Sequence, residues 1–220
     1  MTKMITNLTN SADASSEALN DTLREHEATV DWDHRKIAAD CYKFFDVFNA
    51  EFFDGKLPNC FLQFDKTRVN NLGHYRPGRN VVGARHEINL NARYVGGPLQ
   101  DVLATLLHEM AHEYQELFGK PGRGAFHNKE FVALCAGLGI PCTGGMRSYT
   151  LGYTDRFVNL LLQNDVAAAV TVVAAGPAPR RVGTSKMKLW QCQCGTKIRA
   201  AVVVQARCLR CETLFVRQEA

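Results

Sequence analysis

Two histidines and a glutamate form the motif His108-Glu109-Met110-Ala111-His112. In a helix, residues four apart lie about 40° from each other around the axis, so both imidazoles leave one face and can bind one Zn²⁺ ion. Glu109 lies about 100° from His108, where a carboxylate flanks the metal without binding it. It can then act as general base toward a zinc-bound water. The spacing predicts a catalytic zinc site, and a surface helix that carries His and Glu by chance is the alternative.

A catalytic zinc needs a third protein ligand and an open position for water. His127 follows the Gly-rich loop Gly119–Ala125, which can reverse the chain, and it is the favoured third ligand. Glu130, one turn into the next predicted helix, is its rival. Glu113 and Glu116 are expected on the solvated outer face of the helix. The two strand histidines, His74 and His86, are weaker candidates.

Four of the eight cysteines fall within twenty residues as a C-x-C and a C-x-x-C pair, namely Cys192, Cys194, Cys208 and Cys211. In a reducing compartment such a cluster favours a metal site over disulfides. The two pairs predict a structural zinc site, in which four thiolates fill the coordination sphere. Unliganded or redox-active thiols are the alternative. Cys41 and Cys135 lie on apolar helix faces and are expected to be buried, and no role is predicted for Cys60 and Cys142.

Basic residues surround this cysteine cluster. From Arg180 onward there are nine Lys or Arg against two Glu, a net charge of +7, so the preceding residues carry −3 of the total +4. Basic residues interleaved with an aromatic indicate contact with nucleic-acid phosphates and base stacking. The alternative is a solvated basic surface with Trp190 packed in the core of the small domain. The candidate contacts are Lys186, Lys188, Trp190, Lys197, Arg199, Arg207 and Arg210.

The elements that position these residues follow from apolar periodicity. Helices are predicted near residues 37–54, 102–117, 126–138 and 153–163, and strands near 61–64, 71–75 and 81–90. The predicted fold class is α+β, with the motif helix packed on a small β-sheet. Four segments are predicted. Residues 1–30 are expected to be loosely ordered with a short helix near 16–27, and a catalytic domain follows over 31–164. Residues 165–185 form a linker whose Val-rich part could pair as an edge strand, and residues 186–220 form a small β unit held together by zinc.

The motif and the later His127-Asn-Lys-Glu-Phe131 resemble the active site of SprT-like zinc metallopeptidases, the family that includes the Spartan proteases. Phe48–Pro58, Leu72–Pro77 and Glu87–Leu90 are similar to further family segments, and the resemblance covers about residues 35–142 and the cysteine segment. It implies a zincin-like metallopeptidase core, His127 as third zinc ligand and a C-terminal zinc ribbon, as in the short bacterial form. The loop Gly119–Ala125 departs from the family pattern.

The predicted function is therefore a zinc-dependent endopeptidase with one catalytic and one structural Zn²⁺. The resemblance implies hydrolysis of DNA-associated or DNA-crosslinked proteins, with DNA, single-stranded DNA included, as a partner. The alternative is a DNA-binding or scaffold zinc protein with little proteolytic activity. No apolar run among the 220 residues approaches the roughly 20 needed to cross a bilayer. The N-terminus has no apolar signal region, so a cytoplasmic protein without a membrane partner is expected. No oligomeric state is predicted.

Overall fold

The computed structural model describes residues 2–68, 70–124, 126–146, 150–172 and 187–218. The chain divides into two compact units, Met1–Ala174 and Ala175–Ala220. The elements of the first unit are α1 (Thr2–Thr29), α2 (Arg35–Phe53), β1 (Phe61–Gln63), β2 (Gly73–Arg76), β3 (Glu87–Leu90), α3 (Leu99–Phe118), α4 (Lys129–Leu138), β4 (Gly152–Tyr153), α5 (Asp155–Gln163) and β5 (Thr171–Val172). The second unit contains β6 (Lys188–Gln191), β7 (Lys197–Ala200) and β8 (Val216–Arg217). The fold class is α+β, as predicted.

The apolar stripes of α2 and α3 build the core of the first unit. Helix α2 buries a set of residues at three- and four-residue spacing that includes Phe44, Phe45 and Phe48. Helix α3 buries Leu103 and Leu107 in the same core. Helix α2 ends at the predicted place, because Asp54 has a left-handed backbone and its N–H bonds back to the carbonyl of Asn49.

A three-stranded sheet of order β1-β3-β2 packs against α3. Strand β3 is parallel to β1 and antiparallel to β2, and all four of its residues are buried. The strand begins at Glu87, whereas the sequence predicts a strand from residue 81. The difference arises at Asn80, whose Oδ1 accepts hydrogen bonds from the N–H groups of Val82 (3.1 Å) and Ala84 (3.0 Å). These residues form a turn, because their N–H groups bond to Asn80 and not to a neighbouring strand.

Helix α1 is continuous from Thr2 to Thr29, longer than the short helix near 16–27 that the sequence predicts within a loosely ordered segment. Two of its polar residues, Ser16 and Asn20, are buried. The buried Asn20 amide donates to the carbonyls of Asn59 (2.7 Å) and Arg85 (2.8 Å), and the Ser16 hydroxyl donates to the carbonyl of Gly83 (3.2 Å). A segment rich in Ser and Asn resembles a loop in the sequence, because docking through hydrogen bonds to distant backbone does not require apolar residues at helical spacing.

The first residues of the predicted linker belong to the first unit. Val166 is buried, and Thr171 and Val172 form the short strand β5 antiparallel to β4. The start of the Val-rich stretch therefore pairs as a short strand, which is the alternative that the sequence left open. The rest of the predicted linker, residues 173–185, lies outside the described residues.

The second unit is an antiparallel sheet of order β7-β6-β8. The cysteines lie on the turns beside it: Gly195, with φ +84°, closes the turn after Cys194, and its N–H bonds to the carbonyl of Cys192. A second turn closes with a bond from Glu212 N–H to the carbonyl of Cys208. In the part of the chain that the structure describes, no helix has both the length and the apolar character that a bilayer crossing requires.

Candidate metal centres

Helix α3 carries His108 and His112 one turn apart, and the third histidine meets them from the segment before α4. The ligand atoms of His108, His112 and His127 all lie within 4.8 Å of one another. The closest pair is His112 Nε2 and His127 Nε2, at 2.9 Å. Phe131 stacks against the rings of His112 and His127 at centroid distances of 4.0 and 4.4 Å. The structure therefore brings together the three residues predicted to hold a catalytic zinc.

The backbone of His127 is held by a pair of hydrogen bonds to Gly145. Its N–H bonds to the carbonyl of Gly145 (3.1 Å), and Gly145 N–H bonds back to its carbonyl (3.0 Å). The next residue, Asn128, caps α4, because its side-chain oxygen accepts from Phe131 N–H at 2.9 Å. The helix begins at Lys129, three residues later than residue 126 where the sequence predicts it. The cap leaves His127 in extended backbone, pointing at α3.

Burial favours the neutral form of all three imidazoles. Burial lowers the pKa of His108 well below its ordinary value, and the nearby His112 and His127 lower it further. Burial and the charge of His127 lower the pKa of His112 to about 3, and burial also lowers the pKa of His127. A neutral imidazole is the form that binds a metal, since no proton has to be displaced from the ligand nitrogen.

Glu109 is buried between α3 and strand β2. Burial raises its pKa to about 8, and a hydrogen bond from the Tyr75 backbone N–H opposes part of that rise. Strand β2 can approach this closely because residue 73 is glycine: a Cβ there would lie 3.2 Å from Glu109 Cγ and 3.0 Å from the Thr105 methyl group. A carboxyl group with a pKa near neutrality, one residue after His108 on the same helix, is suited to accept and release a proton at neutral pH.

The donor set fits Zn²⁺. Three imidazole nitrogens are a common ligand set for catalytic zinc and leave a coordination position open. The orientation of His108 agrees, because its Nδ1 side faces Cys135 Sγ at 4.0 Å and leaves Nε2 for a metal. A second group of possible ligands shares this histidine, since His108, Cys135 and Cys142 also lie within 4.8 Å of one another.

The rival third ligands lie elsewhere. Glu130 accepts hydrogen bonds from Gln115 Nε2 (3.0 Å) and Lys120 N–H (2.9 Å) and does not belong to the histidine group. His86 Nδ1 lies 2.9 Å from the Tyr75 hydroxyl, and His74 also lies outside the group.

The prediction for Glu113 is wrong, whereas Glu116 is exposed as expected. Glu113 is fully buried, with Oε1 3.7 Å from His86 Nδ1, because this side of α3 faces strand β2 rather than solvent. Burial raises its pKa well above the ordinary value. Its position one turn beyond Glu109 is the signal that could have placed it on the sheet face.

Sequence reasoning missed the neighbours that surround the histidines. Cys135 is buried, as predicted, but as a neighbour of His108; its place one turn after Phe131 could have indicated this. Cys142, which was given no role, lies in the same group. Gln115 is 2 % exposed and bonds to Asn128 and Glu130. Its place seven residues after His108, on the same face of the helix, was the available signal.

In the second unit the sulfur atoms of Cys192, Cys194, Cys208 and Cys211 lie within 4.8 Å of one another. The four cysteines are free thiols. Hydrogen bonding to the Thr213 side chain lowers the pKa of Cys211 to about 6, and bonding to Thr196 lowers the pKa of Cys194. Four converging sulfurs fit a structural zinc, which takes four thiolate ligands in a tetrahedron.

The predicted nucleic-acid contacts that the structure describes are exposed cations and one buried aromatic residue. Among the residues that the structure describes, the exposed candidates are Lys188, Lys197, Arg199, Arg207 and Arg210. Lys197 and Arg199 share one face of the sheet, since they alternate along β7. Trp190 is only 8 % exposed, so its ring is not available for base stacking, and this candidate contact is corrected to a core residue. Lys186 lies outside the described residues.

The model of the SprT-like family matches residues 41–144. The matched range contains the three histidines and Glu109 but not the four clustered cysteines, and it lies close to the range 35–142 in which the sequence resembles that family. A search of curated proteins found no match to the chain.

Proposed function

Because residues 41–144 form a SprT-like domain, we propose that the protein is a zinc-dependent endopeptidase with a zincin-like core and a C-terminal zinc ribbon. The observation that carries this proposal is the convergence of the imidazoles of His108, His112 and His127, together with the buried carboxyl group of Glu109, which follows His108 in the chain. That set matches the needs of metal-assisted hydrolysis, in which three ligands hold the ion and a separate base moves the proton.

The three histidines would hold the catalytic ion, and the four cysteines of the second unit would hold a structural one. A zinc ion at the histidines supplies Lewis acidity, which polarises a peptide carbonyl and makes water nucleophilic at neutral pH. The neighbouring residues hold the histidine rings in place. Phe131 covers the rings of His112 and His127, and the buried core behind it keeps them fixed.

Glu109 is the proposed general base. Its carboxylate takes a proton from the attacking water and passes it to the amine of the departing peptide, so no covalent bond forms between the enzyme and the substrate. The Tyr75 backbone N–H holds this carboxylate on the β2 side of α3. A nearby cation would favour the ionised carboxylate, because an opposite charge lowers the pKa of an acid.

The proposed substrates are proteins associated with or crosslinked to DNA, met in the cytoplasm. The exposed cations of the ribbon support a DNA-binding role for it, with Lys197 and Arg199 on one sheet face and Arg207 and Arg210 at the turn that carries Cys208 and Cys211. With Trp190 buried, we expect these contacts to be made to phosphates, so binding should weaken steeply with salt and depend little on base sequence.

The experiment compares cleavage of a basic protein bound to single-stranded DNA with cleavage of the same protein free in solution. The proposal predicts faster cleavage on DNA. It also predicts that the variant Lys197→Glu/Arg199→Glu loses this advantage while keeping cleavage of the free protein. A charge-matched control on the first unit, Lys36→Glu/Lys66→Glu, removes two exposed lysines and should keep the advantage.

Two results would contradict the proposal. If both charge variants respond alike, the ribbon face does not recruit DNA. If the wild-type chain binds DNA but cleaves no faster than its Glu109→Gln variant, the chain is the DNA-binding or scaffold zinc protein that the sequence left as the alternative.

A further inference from the structure

A polar cluster lies one helical turn beyond the histidines, on the same side of α3. His108, His112 and Gln115 follow each other at spacings of four and three residues, so the Gln115 amide continues the row of ligands. Gln115 is 2 % exposed, which is unusual for an amide side chain and requires partners for its hydrogens.

Both partners of that amide belong to the segment that carries the third histidine. Gln115 Nε2 donates to Asn128 Oδ1 and to Glu130 Oε1, each at 3.0 Å. Asn128 follows His127 directly, and the same Oδ1 caps α4. One buried amide on α3 thus bonds to the residue next to His127 and to the first turn of the helix behind it.

The same two side chains close the base of the loop that precedes His127. Glu130 Oε1 accepts from the Lys120 N–H at 2.9 Å, and Asn128 Nδ2 donates to the Lys120 carbonyl at 2.7 Å. Residue 119 has no side chain, and a Cβ there would overlap the Glu130 carboxylate. Both backbone groups of Lys120 are therefore tied to the segment after His127, which fixes the beginning and the end of the loop together.

We infer that Gln115, Asn128 and Glu130 form a latch that positions His127 over His112 and so sets how tightly the three-histidine site holds its zinc. The inference rests on the proposed zinc site. The three residues are positioning residues, because they act on the ligand through the backbone that carries it. The latch also gives Glu130 a role, since its carboxylate is needed as a hydrogen-bond acceptor rather than as a metal ligand.

The test measures zinc release from the full, zinc-loaded chain to a chromogenic chelator. The His112→Ala variant identifies which phase of release belongs to the histidine site, because that phase should be missing. Gln115→Leu keeps the size of the side chain and removes both donors. Changing residues that support metal ligands costs roughly 10- to 100-fold in affinity, so we expect release about 10-fold faster.

Two variants of Glu130 separate the latch from general packing. Glu130→Leu removes the acceptor from an exposed residue and should also speed release about 10-fold. Glu130→Gln keeps an oxygen that can accept from Gln115 and Lys120, so its release rate should equal that of the wild type. Gln100→Leu is the matched control. Gln100 lies on the same helix, but its hydrogen bonds are to the backbone of Ala169, which is not part of the latch or of the histidine site.

The latch is overturned if Gln115→Leu and Glu130→Leu release zinc at the wild-type rate. It is also overturned if their release is no faster than that of Gln100→Leu. It is likewise overturned if Glu130→Gln loses zinc as Glu130→Leu does, since the charge of Glu130 and not its role as a hydrogen-bond acceptor would then matter. Melting of the zinc-free variants provides the readout for stability, and a lowered melting temperature that accounts for the faster release would assign the residues a structural role only. If His112→Ala retains every release phase, the proposed zinc site fails, and the latch fails with it.

Discussion

Replacing Gly73 with alanine tests whether strand β2 packs directly on the motif helix. The new Cβ would lie 3.0 Å from the Asn89 carbonyl oxygen, 3.0 Å from Thr105 Cγ2 and 3.2 Å from Glu109 Cγ. Favourable contacts between carbon atoms lie at about 3.5–4.0 Å, so the Thr105 methyl and the Glu109 stem must move by about half an ångström. The Asn89 oxygen is backbone of the central strand and cannot move without disturbing the sheet.

The expected cost follows from two opposing effects. Overpacking of this kind costs about 1–3 kcal/mol, whereas replacing glycine with alanine stabilises by about 0.4–1 kcal/mol through the unfolded chain. The net expectation is a loss of about 1–2 kcal/mol in the free energy of unfolding. Activity should fall further than the loss of folded protein explains, because the displaced side chain is the proposed general base.

Urea unfolding followed by the helical circular dichroism signal measures this change, since the helices that the structure describes all lie in the first unit. Gly78→Ala is the matched control, because a Cβ at Gly78 meets nothing within 4 Å and should leave stability unchanged or slightly raised. Adding Thr105→Ser, which removes the crowded methyl group and keeps the hydroxyl, should recover part of the loss. If Gly73→Ala is as stable and as active as Gly78→Ala, the packing of β2 on α3 described above is wrong.

Two further predictions concern regions away from the histidines. Burial raises the pKa of Glu27 to about 7, above its ordinary value of 4.5, so the contribution of Glu27 to stability is present below about pH 4.5 and is lost as the pH rises through 7. Glu27→Gln, which can still accept the bond from the Tyr42 hydroxyl, should therefore raise the urea midpoint relative to wild type at pH 8.5 but not at pH 4.5. Equal differences at both values would refute this, and the exposed Glu25→Gln is the control. Cys208→Ser should remove one zinc per chain and shift Trp190 fluorescence toward that of a solvated indole, because so small a unit depends on its metal to fold. An unchanged zinc content would show that the four thiols bind none, and the exposed Gln193→Ser should change neither signal.

The helices and the histidine group could be predicted because each rests on a local pattern. Apolar spacing placed α2 and α3, and the four-residue spacing of His108 and His112 placed both imidazoles on one face. His127 was favoured over Glu130 because the preceding loop can reverse the chain and because the family resemblance implies a histidine ligand there. The bonds to Gly145 that hold its backbone involve a residue distant in the sequence. Local patterns do not contain such information.

The errors have the same origin. Helix α1 extends beyond the predicted residues 16–27, and the bonds of its Ser16 and Asn20 side chains to the backbone near residues 59 and 83–85 are not visible in a local pattern. Glu113 was assigned to the solvated face because it follows His112 and points away from the proposed metal, whereas the sheet covers that side of α3. Trp190 was a stacking candidate because its basic neighbours are visible in sequence, but its burial depends on how the small sheet closes.

The central claim is that Glu109 moves the proton for hydrolysis at a zinc held by His108, His112 and His127. Its most direct test is peptide cleavage by the wild-type chain and the Glu109→Gln variant, with the zinc content of both measured on the same samples. We expect about two zinc ions per chain in each and a fall in turnover of at least about 100-fold in the variant. Full turnover by Glu109→Gln at equal zinc content would contradict it.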